Sequence, residues 1–588
     1  MKKQLEDLPN ELLWLILEYI SPIDLFYTFL NLNQRFNKIL RLTHCRLNLL
    51  YTNKDQFNYY LNTILPNIEI NRIESFHIDD INSRLDSIHI YKNLHSLTIH
   101  YLRTENIDLL ATNILPELKQ LHSLRLHSQF ILKDEDINSL TNVLFSEQIP
   151  SLIYCYLGFQ DFGCMSFDHL KTTNKALALK TLVIDQWCRL KDFIRLLHFI
   201  PNIRHLTVRL FDSHPKGMII PSLTTIDDFT ILVPHLIYLR AKLSQISLIT
   251  ATKILFNRLP CQLRQLSLSS WSIDYANSDS WENILSLKFP NLKHFRLIIS
   301  LDRIPVDYTV TTNTDLDNII KPFNQSKYFH DHNWNISLNV NERDRLKFVL
   351  HTIPYPIENF QTTLYNIRRC TISSSVVESI YRYVTRLTLT LHDDLTPLKD
   401  NKNEYRKFSN VNELIFLSNL TSDCQQFSSI EYFNNVKNII NLSNITSLDF
   451  PEETHQYPIQ LINILLKNLP QLHSLILSHR SYICLQTQSM DSLKTLTLIF
   501  AIYSSISPLA TRLRHLVPST QILTNEIILE LVRIVPLSFP KIQTLTLVVR
   551  DLDVFDNQFS EWLESQFSIK QNISYELLIN DKLIRFHF

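Results

Sequence analysis

With 588 residues the chain can build one large core or several domains, and its 57 Lys and Arg are balanced by 57 Asp and Glu. A net charge of zero argues against nucleic acid or an anionic membrane as partner. Only three glycines occur, Gly158, Gly163 and Gly217, so no P-loop, dinucleotide fingerprint, kinase glycine loop or nucleophile elbow can be written. No run approaches the roughly 18 apolar residues of a membrane span. Lys2-Lys3 is followed at once by Glu6-Asp7, and Glu18 breaks the apolar stretch after Leu12, so no secretory signal is expected. Eight cysteines without a C-x-x-C pair read as reduced thiols of a cytoplasmic or nuclear protein.

The chain opens on short helices. Pro9 suits the first turn of a helix, and Glu6, Asp7 and Glu11 put negative charge at its positive end. From Leu12 to Ile20 every position except Glu18 is apolar or aromatic, so this helix needs burial on more than one side. Ser21 then reads as an N-cap, with Pro22 at the first helical position and Asp24 completing a capping-box-like pair. Three helices in about forty residues cannot bury that much apolar surface among themselves. Part of it must face a partner or the rest of the chain.

In order and spacing, Leu8-Pro9, Glu11-Leu12-Leu13, Ile16, Tyr19-Ile20, Asp24-Leu25, Leu32 and Arg35-Phe36 resemble the F-box, with Phe36 where that family often has Trp. The resemblance implies that residues 1–48 form a three-helix domain that docks on a Skp-family adaptor and, through it, a cullin. Its adaptor-binding residues would be Leu8, Pro9, Glu11, Leu12, Leu15, Ile16, Tyr19, Ile20, Leu25 and Phe36.

Beyond residue 90 the pattern apolar-x-x-Leu-x-apolar returns repeatedly. It is carried by Leu97, Leu124, Leu182, Leu206, Leu239, Leu266 and Phe295, then by Leu387, Leu414, Leu448, Leu475, Leu496 and Leu545. Leu152-x-x-Cys155-x-Leu157 fits as a degenerate member. Many steps are 24 to 29 residues, for example 27 from Leu97 to Leu124 and 27 from Leu239 to Leu266. Leucine-rich repeats have a period of about 20–29 residues. Amphipathic runs that end in Pro, such as Phe193–Pro201, Ile254–Pro260 and Leu461–Pro470, precede several strands. The expected fold is therefore α/β: a short helical F-box followed by an irregular LRR-like solenoid, parallel strands on the concave face and helices outside. The Asn or Cys that the repeat consensus carries after the strand is mostly missing, so periodicity alone supports the repeats.

Residues 301–344 break the rhythm. Thr309–Thr314 is polar and β-branched, Pro305 and Pro322 interrupt, and Trp334-x-Ile336-x-Leu338-x-Val340 alternates like a strand. This stretch reads as an insertion or junction between sub-arrays at 51–300 and 345–588.

Catalytic sets are absent from the sequence. Asp161-Phe162-Gly163 mimics a kinase metal turn without a catalytic loop, and His330-Asp331-His332 offers two imidazoles without a third ligand. Neither a metal, a cofactor nor intrinsic enzyme activity is expected. The outward strand positions of the first sub-array hold His100, Arg125, His127, His205, Arg209, Tyr238, Arg240, Lys242, His294 and Arg296, against the single acid Asp185. Those of the second hold Ile415, Leu417, Ile476, Ile499 and Val548, with Glu413 and Asp449. Target binding is assigned to Arg125, Arg209, Tyr238, Arg240, Lys242 and Arg296, and suits an acidic or phosphorylated protein. Together these features imply the substrate-recognition subunit of an SCF-type ubiquitin ligase. A non-enzymatic LRR scaffold whose F-box serves assembly is the alternative.

Overall fold

The structure, a computed structural model, describes residues 8–17, 19–42, 45–49, 59–78, 91–128, 130, 132–159, 165–170, 175–212, 232–301, 313–341, 348–362, 366–370, 380–391, 407–418, 428–450, 459–478, 493–500, 543–549, 574–578 and 583–587. The Asp161-Phe162-Gly163 motif, Gly217, Ile542 and Thr309–Thr312 lie outside the described residues. The chain divides into two compact units, residues 1–306 with 321–334, and residues 307–320 with 335–588.

The first unit begins with helices α1 (Asn10–Leu17), α2 (Pro22–Phe29) and α3 (Gln34–Leu42). Pro9 stands just before α1, and its carbonyl accepts from Leu13 N–H. Ser21 caps α2 by accepting from Asp24 N–H, Pro22 sits in the first turn, and Ser21 Oγ donates to Asp24 Oδ2 at 2.6 Å. Asn33 Oδ1 accepts from Phe36 N–H at the start of α3. Asn31, at φ 63°, makes the left-handed turn between α2 and α3, a conformation asparagine tolerates. Arg35 on α3 reaches back to α1, with Nε donating to Asn10 Oδ1 at 2.9 Å and Nη2 to the Leu8 carbonyl. Leu13, Leu17, Leu25, Phe26, Phe36, Ile39 and Leu40 fill the centre.

Ten strands of this unit pair in chain order, all parallel: β1 (Cys45–Asn48), β2 (Ile73–Ile78), β3 (Ser96–Ile99), β4 (Ser123–Ser128), β5 (Tyr154–Phe159), β6 (Thr181–Arg189), β7 (His205–Phe211), β8 (Tyr238–Ser244), β9 (Gln265–Ser270) and β10 (His294–Leu301). The central apolar residues align across the pairs, Phe76 with Leu97, Leu97 with Leu124, Leu124 with Cys155, and so on to Leu266 with Phe295. Cys155 therefore takes the degenerate place read from sequence. The series also starts earlier than residue 90, at Leu47 and Phe76, because β1 and β2 already belong to the sheet. The boundary expected at residue 48 is corrected accordingly: the helices end at Leu42, and Cys45–Asn48 is sheet.

Parallel strands need a returning segment, and here it is helical. Asp134–Leu144, Leu190–Leu197 and Ser278–Lys288 bury Ile137, Leu140 and Leu144, then Phe193, Leu196 and Leu197, then Trp281 and Leu285. Backbone hydrogen bonds also link the turns that enter the strands, from His122 N–H to His95 O, Ile153 N–H to His122 O and Lys180 N–H to Ile153 O, each 2.9 Å. A side-chain ladder runs beside them. Asn93 Nδ2 donates to Asn71 O at 3.0 Å, Asn202 Nδ2 to Leu177 O at 2.8 Å and Asn291 Nδ2 to Cys261 O at 3.3 Å.

Residues 301–344, read as an insertion or junction, contribute to both units. The helix Lys327–Asp331 and Trp334 belong to the first, where Phe295 of β10 packs against Trp281 (5.1 Å between ring centres), Trp334 (5.5 Å) and Phe329 (6.3 Å). Trp281 Nε1 donates to the Tyr275 carbonyl at 2.7 Å, satisfying the one polar atom of that buried ring.

In the second unit, β11 (Ile336–Asn341) pairs antiparallel with β12 (Phe348–Thr352) and with β14 (Asn366–Cys370). Parallel pairing resumes from β13 (Asn359–Thr362) through β15 (Arg386–Leu391), β16 (Glu413–Ser418), β17 (Ser447–Asp449), β18 (Ser474–Ser478) and β19 (Thr495–Phe500) to β20 (Thr544–Val549). Two antiparallel strands follow, β22 (Leu583–His587) on β20 and β21 (Ser574–Leu578) on β22. The antiparallel pairs are departures from the expected parallel array, and short connections explain β11–β12 and β21–β22: too few residues intervene for a crossover. Buried Asn339 and His351 form a polar pair at 3.0 Å, and Tyr381 Oη donates to Asn339 Oδ1 at 2.9 Å.

Candidate functional site

Two surfaces of the first unit gather the residues singled out from sequence. The first lies on α1. Leu13 and Leu17, one turn apart, turn inward and are buried. Leu12, Leu15, Ile16 and Tyr19 follow at spacings of three and four, a second apolar stripe that stays exposed. Their exposures are 46%, 56%, 42% and 91%. Pro9 and Glu11 are exposed, and Leu8 and Ile20 half-buried, along the same segment. Trp14, Tyr27 and Leu32, not assigned from sequence, are exposed as well.

Leu25 and Phe36 are corrected. They are 2% and 0% exposed, closed inside the three helices, with Phe36 stacked on Phe29 at 5.1 Å. Here they hold the bundle together. Sequence could not separate them from the outward residues, because both sets are apolar at helical spacing.

The second surface is the outward face of the sheet, where residues of β4–β9 largely alternate between buried and exposed or half-exposed, while Thr98 on β3 and Ile298 on β10 are buried. Side chains on neighbouring strands touch in series along it. His100 stacks on His127 at 4.7 Å and 11°, and His127 lies 4.5 Å from the Tyr156 ring. Tyr156 Oη donates to Asp185 Oδ2 at 3.3 Å, and Asp185 Oδ1 is 2.6 Å from Arg209 Nη2. Burial pushes the Tyr156 phenol up to about 12, with the neighbouring Asp185 carboxylate adding to it. Burial also lowers the His127 imidazole, neighbouring His100 and Arg125 lower it further, and Asp185 opposes them.

Two sequence features make this chain of contacts. Gly158 is one: a Cβ there would stand 2.6 Å from the Tyr156 ring, so glycine is what lets Tyr156 lie along its own strand. The other is an irregularity in β6, where Ile184 pairs with Val208 but Trp187, not the next residue, pairs with Arg209. The two extra residues set Trp187 in register with Arg209, and Asp185, the residue after Ile184, still reaches Arg209 through its side chain.

The cations assigned to target binding thus have different situations. Arg209 is half-buried and ion-paired. Arg125 is exposed and lies 5.0 Å over the Tyr154 ring. Lys242 Nζ stands 5.5 Å from Trp187 and 4.9 Å from Trp271, whose rings are 5.7 Å apart. Arg240 and Arg296 are exposed, and Tyr238 is half-exposed, 6.1 Å from His205.

On the second unit the corresponding face is apolar at Ile415, Leu417 and Ile476. Arg386 Nε is 2.6 Å from Glu413 Oε2, and Asp449 sits between Ile415 and Ile476 with its Oδ1 buried and unpaired. Ile499 and Val548 continue these rows, but their side chains lie outside the described residues. No group of three metal-ligating side chains occurs among the described residues, and His330 and His332 are exposed. No helix among the described residues is long and apolar enough to cross a membrane.

No protein-family model matches the chain, and no curated protein matches it. Among solved structures, a protein from Bacteroides fragilis aligns at 12% identity and a TM-score of 0.21, covering 35% of this chain and 65% of its own. TLR13 in its complex with ssRNA13 aligns at 14% identity and a TM-score of 0.24, covering 81% of this chain and 49% of its own. The chain thus spans less than two thirds of either protein's length.

Proposed function

We propose that the chain is the substrate-recognition subunit of an SCF-type (cullin–RING) ubiquitin ligase, working in the cytoplasm or nucleus. Helices α1–α3 act as the F-box that holds the Skp-family adaptor. The strands and returning helices act as an LRR-like solenoid whose open strand face receives a protein target. Ubiquitin transfer belongs to other subunits, and this chain needs no cofactor. The observation that carries the reading is the uncovered stripe Leu12–Leu15–Ile16–Tyr19, set within a motif that resembles the F-box. An apolar stripe of that density on a short helix is a docking face.

The test is capture of adaptor and cullin by the full chain, with Leu12→Asp/Leu15→Asp as the variant. Both residues are exposed, so the variant keeps its fold and its melting temperature while losing adaptor and cullin together. If the wild-type chain fails to bind purified Skp adaptor, the reading is wrong. Capture of adaptor without cullin points instead to a scaffold.

A further inference from the structure

We infer that the edge at which the chain enters β6–β10 docks on an anionic lipid surface, an interaction separate from the target and adaptor contacts proposed above. Backbone hydrogen bonds join the residue before each strand into a row: Arg204 N–H to Lys180 O at 2.8 Å, Ile237 N–H to Arg204 O at 2.9 Å, Arg264 N–H to Ile237 O at 2.9 Å and Lys293 N–H to Arg264 O at 2.8 Å. Lys180, Arg204, Arg264 and Lys293 are exposed. Neighbouring rungs are one strand spacing apart, so the row draws a line of charge about 20 Å long. Lys175 and Lys288 are exposed in the same turns and flank it.

The segments that enter these strands, residues 175–180, 198–204, 233–237, 256–264 and 287–293, contain no Asp or Glu. Among the described residues no carboxylate pairs with Lys175, Lys180, Arg204, Arg264, Lys288 or Lys293. Acids of the same unit gather at the other edge, where strands end and helices begin, at Glu105, Asp134, Glu135 and Asp279. There they face the positive ends of the helices. Strands of six to nine residues hold the two edges about 20–30 Å apart, beyond the Debye length of about 8 Å at physiological salt. A surface approaching the entry edge therefore meets its cations, and the zero net charge of the whole chain does not cancel them.

Apolar side chains stand among these cations. Leu177, between Lys175 and Lys180, is 52% exposed, and Leu287, next to Lys288, is 76% exposed. Cations alone would suit any polyanion. With exposed leucines beside them they suit a bilayer, where the charged groups meet headgroup phosphates and the leucines enter the acyl boundary. An RNA backbone or a run of carboxylates would leave those leucines in water. The contact is peripheral, since no helix among the described residues is long and apolar enough to cross a membrane.

The experiment sediments the full chain with phosphatidylcholine vesicles, with or without phosphatidylserine, at low and high salt. The chain should pellet only with the phosphatidylserine vesicles, and less at high salt. Arg204→Glu/Arg264→Glu should weaken that binding at least about tenfold at an unchanged melting temperature. Should this pair unfold the chain, Lys180→Gln/Lys293→Gln reads the same loss. Leu177→Ser/Leu287→Ser should weaken binding and leave its salt dependence in place. Lys133→Glu/Lys191→Glu makes the same change of charge at the edge where helices begin, and should leave binding unchanged. No pelleting with phosphatidylserine vesicles, or an equal loss from the Lys133/Lys191 pair, would overturn the inference. Vesicle binding indifferent to the leucines, with single-stranded RNA or polyglutamate bound in the same arginine-dependent way, would make the edge a general polyanion surface and refute the lipid assignment.

Discussion

Asp449→Asn should stabilise the second unit at neutral and alkaline pH, and the gain should disappear in acid. Asp449 lies on an outward row between Ile415 and Ile476, with Oδ1 buried and unpaired. Burial raises its carboxyl from the ordinary 3.8 to about 6, Glu413 adds to the rise, and Arg386 opposes it. The folded state therefore holds a proton more tightly than the unfolded chain. Between those two pKa values the folded state binds more protons, so stability falls as pH rises through that window and stays low above it. A difference of about two pKa units corresponds to about 3 kcal/mol as a ceiling. The carboxylate keeps some contact with water, which lowers the working figure to about 1–2 kcal/mol.

Asparagine keeps the shape and removes the charge. For a unit of this size the gain corresponds to roughly 2–8 °C in melting temperature. Differential scanning calorimetry of wild type and variant at pH 8 and pH 3 reads it directly. The variant should melt higher at pH 8, and the two should converge near pH 3, below both pKa values. Equal melting at pH 8 would show that ionised Asp449 carries no penalty. A shift of the same size at both pH values would show that shape, not charge, is responsible.

Leu266, 1% exposed and aligned between Leu239 and Phe295, should cost about 2–5 kcal/mol on replacement by alanine, while the exposed Leu287→Ala serves as a near-neutral control in the same urea titration. Equal effects of the two would place Leu266 outside the core. Gly158→Ala should force Tyr156 off His127 and Asp185 and cost about 1 kcal/mol, a loss that vanishes in a Tyr156→Ala background. Strict additivity in that double-mutant cycle would mean the glycine serves something other than the tyrosine.

The strand register was legible because one kind of residue recurs at one kind of step. An apolar residue, usually leucine, at steps that are often 24 to 29 residues marks the same sheet position, and Leu97, Leu124, Leu182 and Leu206 take equivalent places in the observed pairing. The cap of α2 was legible for the same local reason: Ser21, Pro22 and Asp24 act within one turn. Facts that depend on a neighbouring strand or helix were not legible. Arg209 read as a target-binding cation because alternation sets it and Asp185 on one face without showing that they pair across β6 and β7. Leu25 and Phe36 read as contacts because a short apolar helix does not announce which side its bundle takes.

The missing consensus asparagine shows how a repeat can diverge and keep its physics. Asparagine is scarce after these strands, yet it stands just before the first apolar position of the pattern in Asn93-Leu94, Asn202-Ile203, Asn291-Leu292, Asn410-Val411 and Asn444-Ile445. In each case its side-chain amide donates to a backbone carbonyl one turn of the stack earlier, Asn410 to Arg382 O at 2.7 Å and Asn444 to Ser409 O at 3.0 Å in the second unit. Stacked turns leave carbonyls that neither helix nor strand satisfies, and those groups need partners. An amide on the strand's entry side meets that need as well as one on its exit side would. The two positions are equivalent in hydrogen bonding and different in sequence, so a consensus written for one is blind to the other.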